Sequence, residues 1–224
     1  MSKKKSGSRA TGTVTTFGRG SVRATPDLMR VTVSIESRAD KVALAYGQAG
    51  EHVGAVTESL RAHGVSDADI ATGGLSVRTE TVWTEGAGNR ITGYVATTDL
   101  TVILREIGAD ADPGPAAVIA DCVEAGGDDV RLGGLTLTVA DQAGLLAQAR
   151  DAAWDDALAK AAQFATRAAR SLGPVLEITE NTASAAPYAP RLAAVSAPAG
   201  GVPLPVELGE SEISANVRAT WRLD

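Results

Sequence analysis

The chain has one cysteine, Cys122, among 224 residues. No intrachain disulfide can form, which excludes a small disulfide-framed scaffold, and a reducing compartment fits. Histidine is nearly as scarce, with only His52 and His63. They fall on one expected helix, about 16 Å apart along its axis. A zinc–nitrogen bond spans only ~2 Å, so one ion cannot take both. With no Cys or His cluster elsewhere, the two read as solvated helix residues, and no metal or cofactor is expected. No apolar run approaches the ~20 residues that a membrane-crossing helix needs. Positive charge is not in excess either. Lys and Arg total 21 against 27 Asp and Glu, for a net charge of −6. That balance argues against a general nucleic-acid binder, because phosphates would be repelled. Lys3, Lys4 and Lys5 read as a solvated terminus. The start MSKKKSGSRATG has the charge of a signal peptide but not its apolar segment. The expectation is a cytoplasmic protein, exported only if a leader has been removed.

Catalytic signatures are missing as well. There is no Walker loop, no Gly-x-Ser-x-Gly elbow and no His-Glu-x-x-His. Gly18-Arg19-Gly20-Ser21-Val22-Arg23 resembles the start of a dinucleotide fingerprint. The third glycine is replaced by Arg23, and strand residues follow where a helix is required. Glycines in a strand hairpin are the better reading. Cys122 keeps helical spacing with Val118 and Ile119, and Asp121 and Glu124 stand near it. Negative neighbours disfavour a thiolate, so a core residue is expected. Asp110, Asp112, Asp128 and Asp129 lack the EF-hand order and read as turn residues and N-caps. No catalytic residue is assigned, and the protein is not expected to be an enzyme.

What is present is a regular series of elements. Residues 1–12 are Lys, Ser and Gly rich and are expected to be a disordered tail. Met29, Val31, Val33 and Ile35 alternate with polar residues and predict a strand. Val14–Val22 is expected to pair with it through a turn at Thr25-Pro26-Asp27. In 41–63 the period changes. Val42, Tyr46, Ala49, Val53, Val56 and Leu60 mark one face of a helix, with Asp40 as N-cap and Gly64 in the left-handed C-terminal position. Residues 69–83 and 89–105 read as a long hairpin, and 114–125 as a short helix. In the next strand the inward parity flips across Gly133-Gly134, as at a β-bulge. A long helix is expected at 142–172, ended by Gly173-Pro174, then a strand at 175–182. Residues 184–206 hold five of the nine prolines and predict a long irregular loop, mobile or functional. Ile213 to Leu223 alternate strictly, so the last strand returns to a sheet begun earlier. The expected architecture is α+β. An antiparallel or mixed sheet packs against one long and two shorter helices, with a protruding β-hairpin, in one domain over 13–224 that contains the 184–206 loop.

Two features predict self-assembly. Ala43, Gly47, Gly50 and Gly54 form a small-residue stripe beside the apolar face of the first helix. Each Gly costs about 1 kcal/mol relative to Ala in a helix interior. Close approach of a neighbouring backbone would supply a reason for them, and tolerated surface glycine is the alternative. The hairpin tip carries Trp83 near Ile91 and Tyr94, and an arm of this length reaches beyond its own core. Cover by another subunit is the expectation, and a hairpin lying flat on its own sheet is the alternative.

The order of motifs resembles the SIMPL-domain family, the YggE-type and periplasmic immunogenic protein-like group. The match runs from Gly18-x-Gly20-x-Val22 and Pro26-Asp27 through Gly64-Val65, Asp69-Ile70-x-Thr72 and Ile91-x-Gly93-Tyr94. It continues through Ala149-Arg150, Ala153 to Lys160-Ala161, Leu172-Gly173 and the closing Gly209-Glu210 to Val217. The resemblance implies an α+β domain, homo-oligomers that form rings or hollow bodies in some members, and a link to oxidative-stress resistance. It implies no catalytic residues. The leading expectation is a non-enzymatic, self-assembling protein larger than a dimer, ring-, channel- or cage-like, linked to oxidative or envelope stress. A module presenting the 184–206 loop or a sheet edge to a partner protein is the alternative, and an enzyme with its site between subunits a third reading.

Overall fold

The computed structural model describes residues 12–86, 88–108, 110–180 and 207–224. The expectations for the tail before Gly12 and for the 184–206 loop lie outside these residues. Among them are three α-helices and seven strands in two antiparallel sheets, an α+β fold. The contacts gather into two compact units.

The first unit holds β1 (Gly12–Ala24), α3 (Gln142–Arg167), β6 (Leu172–Glu180) and β7 (Ser211–Leu223). Its sheet has the order β1-β7-β6. The strict alternation of β7 places Ala215, Ala219 and Trp221 inward, all buried. The strand returns to the first one, pairing with β1 without a register break from Gly12↔Leu223 to Ala24↔Ser211. The expected hairpin between Val14–Val22 and the strand of Met29, Val31, Val33 and Ile35 is therefore not formed. β1 and β2 (Leu28–Ala39) lie in different sheets. Alternation alone names no partner, and the one β1 takes comes from the far end of the chain. Pro26-Asp27 serves another purpose than a hairpin turn. The Asp27 amide donates to Thr138 O at 3.1 Å, and its carboxylate accepts from the Ala140 amide at 2.7 Å.

Helix α3 covers the inner face with an alanine row at every fourth residue. Ala149, Ala153, Ala157, Ala161 and Ala165 are all at most 2% exposed. Against this row lie Gly18 and Gly20. A Cβ at Gly18 would stand 2.8 Å from Ala157 Cβ and overlap Ala153 O, and one at Gly20 would overlap Ala149 O. The Gly-x-Gly of the abandoned dinucleotide reading thus permits a helix backbone to rest directly on a strand. Thr16 donates to Ala157 O at 2.7 Å in the same seam. Asp156 and Lys160 reach the strand's outer edge. Asp156 accepts from the Arg19 amide at 2.9 Å, and Lys160 donates to Phe17 O at 3.0 Å. Side chains of α3 thereby occupy edge groups that would otherwise invite another strand. Trp154 packs on Trp221 with ring centroids 5.8 Å apart. The helix stops earlier than expected. Ala169 adopts φ 52°, and Arg170 N returns to Ala165 O at 2.9 Å. Gly173-Pro174 belongs to β6.

The second unit holds β2, α1 (Val42–Ala62), β3 (Ile70–Thr84), β4 (Gly88–Arg105), α2 (Pro115–Gly126) and β5 (Val130–Thr138). Its sheet has the order β3-β4-β2-β5. Met29, Val31, Val33 and Ile35 of β2 and Leu100, Val102 and Leu104 of β4 meet Val56 and Leu60 of α1 and Val118 and Cys122 of α2. The bulge stands where the parity flip put it. Between the pairs Val31↔Leu135 and Val33↔Leu132, β5 carries an extra residue at Gly133-Gly134. Gly64 takes φ 79°, and Val65 N bonds Leu60 O at 3.0 Å, closing α1 as predicted. The start of α1 differs. Lys41, not Asp40, is the N-cap, with no side-chain bond to the helix. Val42 and Tyr46 are 47% and 56% exposed rather than core. Ala45 takes their place beside Ala49, which is buried as predicted, and both pack on Ala96 and Tyr94.

Candidate functional site

The β3–β4 hairpin continues past the end of its helix cover. From Leu75 to Thr84 and from Gly88 to Thr92, every residue is exposed. Tyr94 is the last residue toward the tip that packs on α1. Beyond it, about six residues per strand, roughly 20 Å of arm, are covered on neither face by another described element of the chain. Register decides which side chains share a face. Thr79 stands opposite Tyr94, Thr81 opposite Ile91 and Trp83 opposite Asn89. The ladder slips between Glu80 and Thr81, which brings Ile91 onto the face of Tyr94 although the two are an odd number of residues apart. Leu75, Val77, Trp83, Ile91 and Tyr94 therefore line one side. Of these, Trp83 is 67% and Ile91 53% exposed. The opposite side carries Val82, also exposed, beside Arg90 near the tip and is charged toward its base, where β2 adjoins it. Glu36 pairs with Arg38 and with Arg78 at 3.2 Å, and Arg38 pairs with Glu80 at 3.7 Å. The arm is a two-stranded ribbon whose more apolar side, with Trp83 and Ile91, lies in water.

The predicted contact residues thus separate into two groups. Trp83, Ile91 and Tyr94 are brought together on the arm. Ala43, Gly47, Gly50 and Gly54 are exposed on α1. Among the described residues, a Cβ at any of the three glycines would meet no atom within 4 Å, so no described element makes the close approach expected there. Leu75 and Val77 were missed as members of the apolar side. Their signal was present, because they share the parity of Trp83 in β3.

The histidines are paired rather than simply solvated. His63 Nε2 lies 2.8 Å from Asp121 Oδ2, and His52 Nδ1 lies 3.0 Å from Asp129 Oδ2. Asp129, read earlier as a turn residue, also accepts a 2.6 Å bond from the fully buried Ser37 hydroxyl. Ser37 Oγ is 3.2 Å from the same His52 Nδ1. Ser, His and Asp together invite comparison with a nucleophilic triad. Such a relay needs nucleophile and carboxylate on opposite imidazole nitrogens and a reachable hydroxyl. Here both partners share one nitrogen, the carboxylate holds the hydroxyl, and Ser37 is inaccessible. The cluster ties β2 to α1 and to the turn before β5. Likewise Arg105 donates to both oxygens of the nearly buried Asp69, at 2.8 and 2.7 Å. This bond holds the Asp69 carboxyl below the usual carboxylate range, against the opposing effect of burial. Cys122 is buried as predicted. Burial pushes its thiol up, and Asp121 acts in the same direction against a bond from Ser59. Among the described residues no His, Cys, Asp or Glu group is arranged to hold a metal ion, and no helix is long and apolar enough to cross a membrane.

The chain is 29% identical over 210 residues to the 26 kDa periplasmic immunogenic protein of Brucella melitensis biotype 1, covering 89% of this chain and 81% of that protein. The Brucella abortus (strain S19) protein of the same name matches to the same extent. The uncharacterized protein YggE of Escherichia coli K12 is 27% identical over 165 residues, 74% of this chain and 64% of that protein. The periplasmic relatives overturn the cytoplasmic expectation and point to an exported protein. That expectation leaned on the first twelve residues and on a lone cysteine, which fits either side of a membrane. The family model for SIMPL, a protein of unknown function (DUF541), matches residues 14–221, and the chain belongs to that family.

Proposed function

We propose that the protein is a non-enzymatic structural protein that assembles with further copies of itself into a body larger than a dimer. The observation that carries this is the arm. Its apolar side, with Leu75, Val77, Trp83 and Ile91, is solvent-exposed within the subunit, and a contiguous face of this kind marks an association site. The occupant is a second copy. The arm is one patch and its receptor a different one, so the contact is head-to-tail, which gives a ring when its rotation closes. The exposed Gly47, Gly50 and Gly54 of α1 leave room for an incoming backbone and supply the candidate receptor. A role in oxidative or envelope stress rests on family resemblance. Light scattering on the eluting native protein tests the proposal, with a mass of three or more subunits expected and a monomer overturning it.

One further observation favours a second reading. β3 is the outer strand of its sheet. An extended segment of a partner protein would add to it by strand pairing. A monomer that captures a partner through β3 would support this reading over assembly.

A further inference from the structure

We infer that the outer face of the three-stranded sheet in the first unit is a binding site for a small organic anion with an aromatic body. This face lies opposite α3. Its β1 residues are Phe17, Arg19 and Ser21, and the paired β7 residues are Arg218, Asn216 and Ser214. Thr179 of β6 stands beside Arg218. A depression of about 370 Å³ is bounded by Phe17, Arg19, Thr179, Asn216 and Arg218. That is within the range of small-molecule sites, roughly 300–1,000 Å³.

The charges in the depression are unbalanced. Arg23 pairs with Glu210 and Glu212, Arg150 with Glu180, and Arg222 with Asp224. Arg19 and Arg218 form no ion pair within 4 Å among the described residues. The nearest carboxylates are Asp156, which accepts the Arg19 amide and is held down first by Lys160 and partly by the Arg19 charge, and Glu177, a diagonal neighbour of Arg218. Arg19 faces Asn216 across the strands, and Arg218 faces Phe17 and Thr179. The two arginines are diagonal neighbours, about 7–8 Å apart at the backbone, so their guanidinium groups can reach one anion. Each presents a planar fork that matches a carboxylate or phosphate. The Asn216 amide and Thr179 hydroxyl add neutral donors. No carboxylate lines the depression.

Size and chemistry narrow the ligand further. Phe17 is 64% exposed, an aromatic ring in water beside two cations. It offers a stacking surface to a ligand's own ring. Along the strands the positive stretch ends at once, because the adjoining hollow around Ser21 and Ser214 is bounded by Glu212. A long polyanion would meet that carboxylate, whereas a single aryl phosphate or aryl carboxylate would not.

The test is an NMR titration of the full chain with phenyl phosphate, inorganic phosphate and benzyl alcohol. Phenyl phosphate is expected to move the Arg19 and Arg218 side-chain signals and the Phe17 ring together and saturably. It should bind about tenfold more tightly than inorganic phosphate, a difference of about 1.4 kcal/mol, while benzyl alcohol leaves the signals in place. Arg19→Gln and Arg218→Gln should each weaken phenyl phosphate severalfold, and Phe17→Ala should reduce it to the level of inorganic phosphate. These side chains are exposed, and the wild-type titration stands even if a variant misfolds. Absence of saturable shifts in the wild type would overturn the inference. So would equal binding by an Arg19→Gln/Arg218→Gln double variant, which would leave an adventitious ion only. A fall in solution mass on adding phenyl phosphate would also overturn it, by assigning the face to a second copy.

Discussion

Gly18 lies so close under Ala153 that a methyl group on it would overlap that residue's carbonyl oxygen. Gly50 has the opposite setting, with no atom within 4 Å of where its side chain would begin. Alanine should therefore act with opposite sign at the two sites. Gly18→Ala has to lift α3 from β1 and is expected to cost about 3 kcal/mol or more. Gly50→Ala removes a helix-interior glycine and should stabilise the dissociated subunit by about 1 kcal/mol. Urea unfolding at low protein concentration measures both. A tolerated Gly18→Ala would refute the packing of α3 on β1.

The Asp69–Arg105 pair makes stability depend on acid. Arg105 holds the Asp69 carboxyl below its ordinary value. A group depressed in the folded state contributes fully above its unfolded value, about 4, and that contribution is lost as pH falls through the folded value. Asp69→Asn should lower the urea midpoint near neutrality. The gap to wild type should then shrink as pH falls below about 4. A gap independent of pH would show that the charge of Asp69 does not matter.

Cys122 is a packing residue with its thiol pushed up by burial. Ellman's reagent should react slowly with the native protein and rapidly after denaturation. Cys122→Ser should cost about 1–3 kcal/mol and leave any peroxide phenotype unchanged. Rapid native labelling would contradict the buried position.

Features set by local periodicity were readable in the residues. The long hairpin, α2, the bulge at Gly133-Gly134 and the left-handed end of α1 at Gly64 all follow from patterns a few residues long. What could not be read depends on distant partners. Nothing near Val14–Val22 says that its neighbour is β7, and Gly18 and Gly20 acquire their purpose only when the alanine row of α3 arrives. Ala169 ends that helix at a positive φ without a glycine to announce it. His52 and His63 looked solvated because Asp129 and Asp121 lie some sixty to eighty positions away in the chain. The tip residues Trp83 and Ile91 were legible as candidates, but the register slip that sets them on one face was not.

In the proposed assembly the apolar side of the arm is covered by another copy. The direct measurement is the solution mass of the wild type against Trp83→Asp, with circular dichroism on both. Trp83 is exposed in the subunit, so its replacement should leave the fold intact. An assembly of three or more subunits is expected for the wild type, and a smaller species with an unchanged spectrum for the variant. A wild type that is monomeric in the micromolar range, or a variant equal to it in mass, would contradict the claim.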